Sequence, residues 1–182
     1  MRGRGDREHG RVRVLGVDPG TAVTGWGVIE QRGVRFYCLG HGTVATRPGT
    51  ALAAKLAVIH RALADRCGEW EPDVVALEKS FVGRNVQSAF RLGEVRGVTM
   101  LVAANAGLTV AEYTPAAIKL AVTGNGRAEK AQVERAVVRE LALKGPVAPD
   151  AADALAAAIC HLQSARLHAL VAGTRAARVA AS

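Results

Sequence analysis

The sequence predicts an α/β fold, a mixed five-stranded sheet flanked by helices, on three observations. Three strand-like runs follow one another closely, joined by short turns, and two more, DVVALE and LTVAEY, alternate with segments of helical period. Composition is the third: 49% of the 182 residues are hydrophobic but only 4% aromatic. The core is therefore built from Ala, Val and Leu, which suits helices packed tightly on a sheet. A chain of this length fits one domain large enough to bury a core.

RVRVLGVD passes from polar to apolar and is ended by the turn signal DPGT. TGWGVIEQ and VRFYCLGHGTVA follow as strands around a turn at Gly33, completing an antiparallel meander. Over residues 50–67, Leu52, Leu56, Ile59 and Leu63 recur at helical spacing. DVVALE is then a buried strand, and the helical crossover before it makes it a parallel neighbour of the first. Residues 85–106 form a long helix and LTVAEY a short strand. Thr114 and Pro115 are an N-cap and N1 pair opening a short helix. TGNGRA reads as a mobile glycine-rich loop. Residues 128–143 are helical, with Val133, Val137 and Leu141 on one face, and the Pro-punctuated KGPVAPD leads into the last helix. Residues 1–10 read as a disordered basic arm, 11–171 as the folded domain and 172–182 as a flexible tail.

The three cysteines, Cys38, Cys67 and Cys160, form no C-x-x-C pair, so reduced thiols are expected rather than a disulfide framework or a zinc site. No run is apolar enough to span a bilayer, and the polar N-terminal stretch lacks the apolar core of a signal peptide. A cytoplasmic protein is expected. The net charge of +8 favours a polyanionic partner, although a soluble basic surface gives the same number.

Four carboxylates stand at the ends of the most apolar stretches: Asp18, Glu78, Asp150 and Asp153. Each has an ordinary role open to it. Asp18 before Pro-Gly fits a turn, Glu78 a solvated strand end, Asp150 an N-cap, and Asp153 an acid facing the helix dipole. Asp150 and Asp153 are also three apart, so both project from one face of a helix too alanine-rich to stand in solvent. Gly16, Gly20, Gly25 and Gly27 thin out the side chains near Asp18, as a closely approaching backbone or phosphate requires. Acids beside a hydrophobic core are costly without compensating charge, and hard divalent cations supply it. Four such acids suit two-metal phosphodiester hydrolysis. No Ser-His-Asp or Cys-His arrangement is legible.

Lys119 and Lys130 bracket the glycine-rich loop, where they can contact a nucleic-acid backbone without reading its sequence. Arg84, Arg91 and Arg96 follow the Glu78 strand and fit a solvated face equally well. Phe81 is core filler or a base-stacking wedge. Gly93 and Gly97, near Phe90, Met100 and Leu101, permit close helix packing within the monomer or against a second subunit.

LGVDPGTAVTGWGVIE, LEKSFVGRNVQSAFRLGEVRGV, YTPAAIKLAVTGNGRAEKAQV and PDAADALAAAICH, in this order, resemble the RuvC family of bacterial Holliday-junction resolvases from about Val12 to His161. The resemblance implies an RNase H-like fold and a homodimer with two active sites, acting with the RuvA and RuvB branch-migration proteins in recombination and DNA repair. It implies Mg²⁺- or Mn²⁺-dependent nicking of two opposed strands at a four-way DNA junction, with two ions per site. By position, Asp18, Glu78, Asp150 and Asp153 are then the metal-binding catalytic acids. Phe81 matches the aromatic near the junction, Arg84 is counted with the DNA-binding residues, and Lys119 and Lys130 match basic residues of DNA binding and catalysis.

Three other classes compete. The turn motif around Asp18 also resembles the phosphate loop of actin-like ATPases, but the chain is short for two such lobes. A binding-only protein would have lost an acid, and all four are present. A general RNase H-like nuclease would lack junction preference.

Overall fold

The computed structural model describes residues 11–79 and 86–180. Strands β1 (Arg11–Asp18), β2 (Val23–Arg32) and β3 (Arg35–Ala45) form the expected meander. Helix α1 (Leu52–Trp70) crosses to β4 (Val74–Glu78), and α2 (Val86–Asn105) crosses to β5 (Thr109–Tyr113). Helices α3 (Pro115–Thr123), α4 (Lys130–Glu140) and α5 (Pro149–Ala180) complete the chain. The sheet order is β3-β2-β1-β4-β5, with β4 parallel to both β1 and β5. The mixed five-stranded sheet and the placing of β4 beside β1 agree with the sequence.

Side chains alternate across a strand, and this period of two divides the core into two layers. Val14, Ile29 and Ala76 join α3, α4 and α5 in one cluster. Leu15, Val17, Val28, Val75 and Leu77 join α1 and α2 in the other. Asp18 shares the parity of Val14, and Glu78 that of Ala76. Both acids therefore belong to the face that α5 covers.

Several helix ends differ from the sequence expectation, for local reasons. Helix α1 runs on to Trp70 and stops where Glu71 takes a left-handed conformation (φ 43°), just before Pro72. Helix α4 starts only at Lys130, because Glu129 and Gln132 form a capping box. It ends at Glu140, ahead of the left-handed Ala142 (φ 48°). Helix α5 starts at Pro149 and continues past residue 172, where the tail was expected; alanine-rich sequence sustains helix well. Helix α3 opens as expected, with the Thr114 hydroxyl accepting from the Ala117 N–H at 3.2 Å. The glycine-rich loop expected to be mobile is braced by its own bonds. Thr123 Oγ1 accepts from the Asn125 N–H at 3.1 Å, and Asn125 Oδ1 from the Arg127 N–H at 3.0 Å.

At the end of the sheet away from the acids, β2 buries Glu30, whose side chain is 1% exposed. Arg13 Nε donates to it at 2.7 Å and Arg32 Nε at 2.5 Å, while Arg13 Nη1 reaches the Trp70 carbonyl at 2.9 Å. Burial alone raises the Glu30 pKa, but the hydrogen bonds from Arg13 and Arg32 outweigh it, so the group sits below the usual glutamate range. Its folded pKa is depressed, so its contribution is complete above the ordinary value of 4.5 and is lost as pH falls below it. We expect Glu30→Ala to cost about 3 kcal/mol in urea unfolding at pH 7, because it strands two guanidinium groups. The gap to the parent should narrow below pH 4.5. A pH-independent gap would contradict the electrostatic origin.

Candidate active site

Three elements deliver the four acids. Asp18 ends β1, Glu78 ends β4, and Asp150 and Asp153 lie in the first turns of α5. Pro149 is the first helical residue, so Asp150 is the second and not the N-cap. Asp153 lies beyond the first turn, and its carboxylate pairs with Lys130 Nζ at 2.6 Å. The capping role open to Asp150 in the sequence is thus not the one it plays.

Glycine brings α5 down onto the strands. A Cβ on Gly16 would stand 1.9 Å from the Ala154 carbonyl oxygen, and one on Gly25 the same distance from that of Asp150. Gly25 is also the β2 partner of Asp18. Of the two visitors the glycine pattern allows, the one at Gly16 and Gly25 is a backbone, that of α5 itself. Gly27 receives the Leu155 side chain, and a Cβ on Gly20 would meet the Val23 carbonyl inside the β1–β2 turn.

The acids form one electrostatic group. Burial and then the charges of Asp153, Asp150 and Glu78 push the Asp18 carboxyl up to about 7, with Lys130 opposing. Burial and Asp153 also raise Glu78, against Lys119, Lys130 and Arg96. The hydrogen bond to Asp153 raises Lys130 in turn, holding it as a cation. Glu78, Asp153, Lys119 and Lys130 line one cleft of about 270 Å³, walled by Pro115 and Ile118. A larger cleft of about 470 Å³ lies between α1 and α2 and holds none of the four acids.

Arg96 is the residue that sequence reasoning undervalued. It is no solvated cation: from α2 its guanidinium donates to the Glu78 carbonyl oxygen and pairs with the Glu112 carboxylate on β5. It thereby ties α2 to the strand end that carries a site acid. Spacing gave no signal for this, because both partners lie on other elements. Arg91 is exposed. Phe81 and Arg84, the other two residues expected at a DNA interface, lie outside the described residues, as does the 1–10 arm.

Phe90, Gly93, Gly97 and Leu101 recur at three- and four-residue spacing on one face of α2. Phe90 is 71% exposed and Leu101 53%. Among the described residues, nothing lies within 4 Å of a Cβ built on Gly93 or Gly97. Of the two packing roles the sequence left open for these glycines, packing within the monomer is not used among the described residues.

Partly buried carboxylates on separate elements, held beside lysines, can bind cations and present a phosphodiester to water. Comparison with known proteins agrees. The family model for crossover junction endodeoxyribonuclease RuvC matches residues 14–161. The crossover junction endodeoxyribonuclease RuvC of Azorhizobium caulinodans is 45% identical over 153 residues, covering 84% of this chain and 90% of that protein. The same-named protein of a Geobacter species is 42% identical over 162 residues, covering 89% and 99%. Thermus thermophilus RuvC, solved in complex with a Holliday junction substrate, superposes with a TM-score of 0.82 at 32% identity, covering 86% of this chain and 96% of that one. The yeast mitochondrial Holliday junction resolvase, at 11% identity and a TM-score of 0.60, shares the fold. The architecture is RNase H-like. With sequence and fold in agreement, this chain belongs to the RuvC family of crossover junction endodeoxyribonucleases.

Proposed function

We propose that the protein resolves Holliday junctions in recombination and DNA repair, hydrolysing one phosphodiester bond in each of two opposed strands. The observation that carries this is the meeting of Asp18, Glu78, Asp150 and Asp153, from β1, β4 and α5, beside a cleft edged by Lys119 and Lys130. A cytoplasmic location belongs to this reading; none of the described helices is long and apolar enough to cross a membrane.

The donor set fits hard divalent cations. It is all carboxylate oxygen, and Asp18 is pushed up to about 7 by burial and by its acidic neighbours, the mark of a site short of positive charge. Among the described residues no three acids are gathered closely enough to form a ligand cage by themselves. Asp18, Glu78, Asp150 and Asp153 would hold two Mg²⁺ or Mn²⁺ ions. Bound there, the pair would lower the pKa of the attacking water and neutralise charge developing on the phosphate. The chain's own residues do the rest. Lys130 pairs with Asp153 and faces the cleft, orienting that carboxylate. Lys119 faces the same cleft, placed to hold a backbone phosphate. Arg96 fixes the strand end at Glu78.

The uncovered α2 face supports a homodimer, which a pair of opposed nicks needs, and RuvA and RuvB are the partners the family suggests. We expect Leu101→Glu to shift the protein to monomer in light scattering at micromolar concentration. It should lower coupled nicking of both strands at least about tenfold, since like charges would meet across the dyad. An unchanged dimer would move the interface elsewhere.

The deciding experiment is nicking of a synthetic mobile four-way junction with Mg²⁺ or Mn²⁺, beside linear duplex and RNA–DNA hybrid controls. Symmetric nicking of the junction alone supports the proposal. Hybrid cleavage would point to a general RNase H-like nuclease, and tight junction binding without cleavage to a binding protein.

A further inference from the structure

On the other side of the α3–α4 turn from the active-site lysines lies a second cleft, of about 260 Å³. Arg135 and Arg139, one helical turn apart on α4, line it with Gln132, and Thr123 and Asn125 close it from the turn. Two alanines complete the walls, and no acid lines it. Both arginines are exposed, and no ion pair of the described residues engages either guanidinium.

The hydrogen bonding of the walls decides what ligand they suit. Gln132 Oε1 already accepts from the Glu129 N–H at 2.8 Å, and Asn125 Oδ1 from the Arg127 N–H at 3.0 Å. The Thr123 hydroxyl donates to the Lys119 carbonyl at 2.7 Å and accepts from the Asn125 N–H. The side-chain acceptors are thus committed inside the protein, while the amino groups of Gln132 and Asn125 and both guanidinium forks remain as donors. A preformed cleft offering donors and positive charge takes an oxyanion, and arginine forks match phosphate.

The cleft also stands at a telling distance from the reaction site. Lys130 opens the helix in the active-site cleft, and Arg135 and Arg139 follow five and nine residues later. At about 100° per residue this turns both arginines to the flank of α4 opposite Lys130, so the two clefts lie on either side of one helix, whose width of roughly 10 to 12 Å is close to that of the B-DNA major groove. We propose that Arg135 and Arg139 bind the phosphate backbone of a junction arm, across a groove from the strand held at Lys119 and Lys130. They would set the register of the arm without reading its bases. This rests on the reading of the protein as a junction nuclease.

The test measures junction affinity as a function of salt in the full-length Asp18→Asn protein, with and without Arg135→Gln/Arg139→Gln. An Arg35→Gln/Arg61→Gln pair removes the same charge from exposed sites elsewhere, and thermal melts verify that both pairs fold. We expect the Arg135/Arg139 pair to weaken binding about tenfold and to flatten the plot of log affinity against log salt by about one unit per arginine. Unchanged affinity and slope would overturn the site, as would an equal loss in the Arg35/Arg61 pair, which would reduce the effect to bulk charge. If the parent itself neither binds nor nicks junctions, the junction-nuclease reading falls and this site falls with it. If the parent does both and the Arg135/Arg139 pair matches it, only the site falls.

Discussion

Asp18→Asn is expected to lower junction nicking by a factor on the order of 10³ or more, the scale of losing a group that acts only within a catalytic constellation. It should also make the metal-free protein more stable near pH 8. Both effects have one cause. Burial and then Asp153, Asp150 and Glu78 raise the Asp18 pKa from 3.8 to about 7. An acid with a raised folded pKa costs stability as pH climbs from the unfolded value to the folded one, here from about 3.8 to about 7. Removing the charge recovers that cost, about 2 to 4 kcal/mol once the four acids are allowed to share their titration. Mg²⁺ should stabilise the parent more at pH 8 than at pH 5, and Asp18→Asn much less at either. Urea unfolding in chelator and in Mg²⁺ at the two pH values checks each part. An Asn variant no more stable than the parent at pH 8 in chelator would refute mutual repulsion as the organising feature of the site.

Gly25→Ala is expected to be nearly as damaging to activity, through geometry instead of charge. The added Cβ would lie 1.9 Å from the Asp150 carbonyl oxygen, and backbone on both sides leaves nothing flexible to yield. Overpacking of this kind costs about 1 to 3 kcal/mol and sometimes more. The displaced element is the turn of α5 that carries Asp150 and Asp153, so activity should fall further than stability. A shift of about 1 Å in a catalytic group can remove a factor of about 10². Gly27→Ala is the internal comparison, because its Cβ would meet the buried Leu155 side chain instead of the backbone at Asp150, so it should cost stability while displacing the acids less. Gly68→Ala is the other, with nothing within 4 Å among the described residues; in the last turn of α1 it should gain at most roughly 0.5 to 1 kcal/mol. Melting temperature and nicking rate at saturating junction measure the series. Equal behaviour of Gly25→Ala and Gly27→Ala would show that close approach of α5 does not position the acids.

The elements were legible where one physical signal dominated. Short apolar runs bounded by turns or helices marked five strands, the Thr114–Pro115 pair marked the start of α3, and the helix before DVVALE implied β4 parallel to β1. Helix ends were less legible, because caps decided them: the Glu129–Gln132 box shortened α4, and α5 begins at Pro149, two residues before the start that an Asp150 N-cap implied. The four acids could be chosen from the chain alone because charged groups at the ends of apolar runs are improbable without a purpose. Arg96 could not, since its value lies in reaching Glu78 and Glu112 on two other strands.

By itself, then, the sequence determined the fold class and the strand order around β1 and singled out the four candidate acids, since these follow from local periodicity and from the cost of burying charge. Only the tertiary structure decided how the acids meet. It showed that Gly16 and Gly25 admit the backbone of α5, that Lys130 pairs with Asp153, and that nothing in the described chain covers the glycine face of α2. Those are contacts between residues far apart in the chain. Composition and spacing carry no record of them, because they are settled by which surfaces pack together.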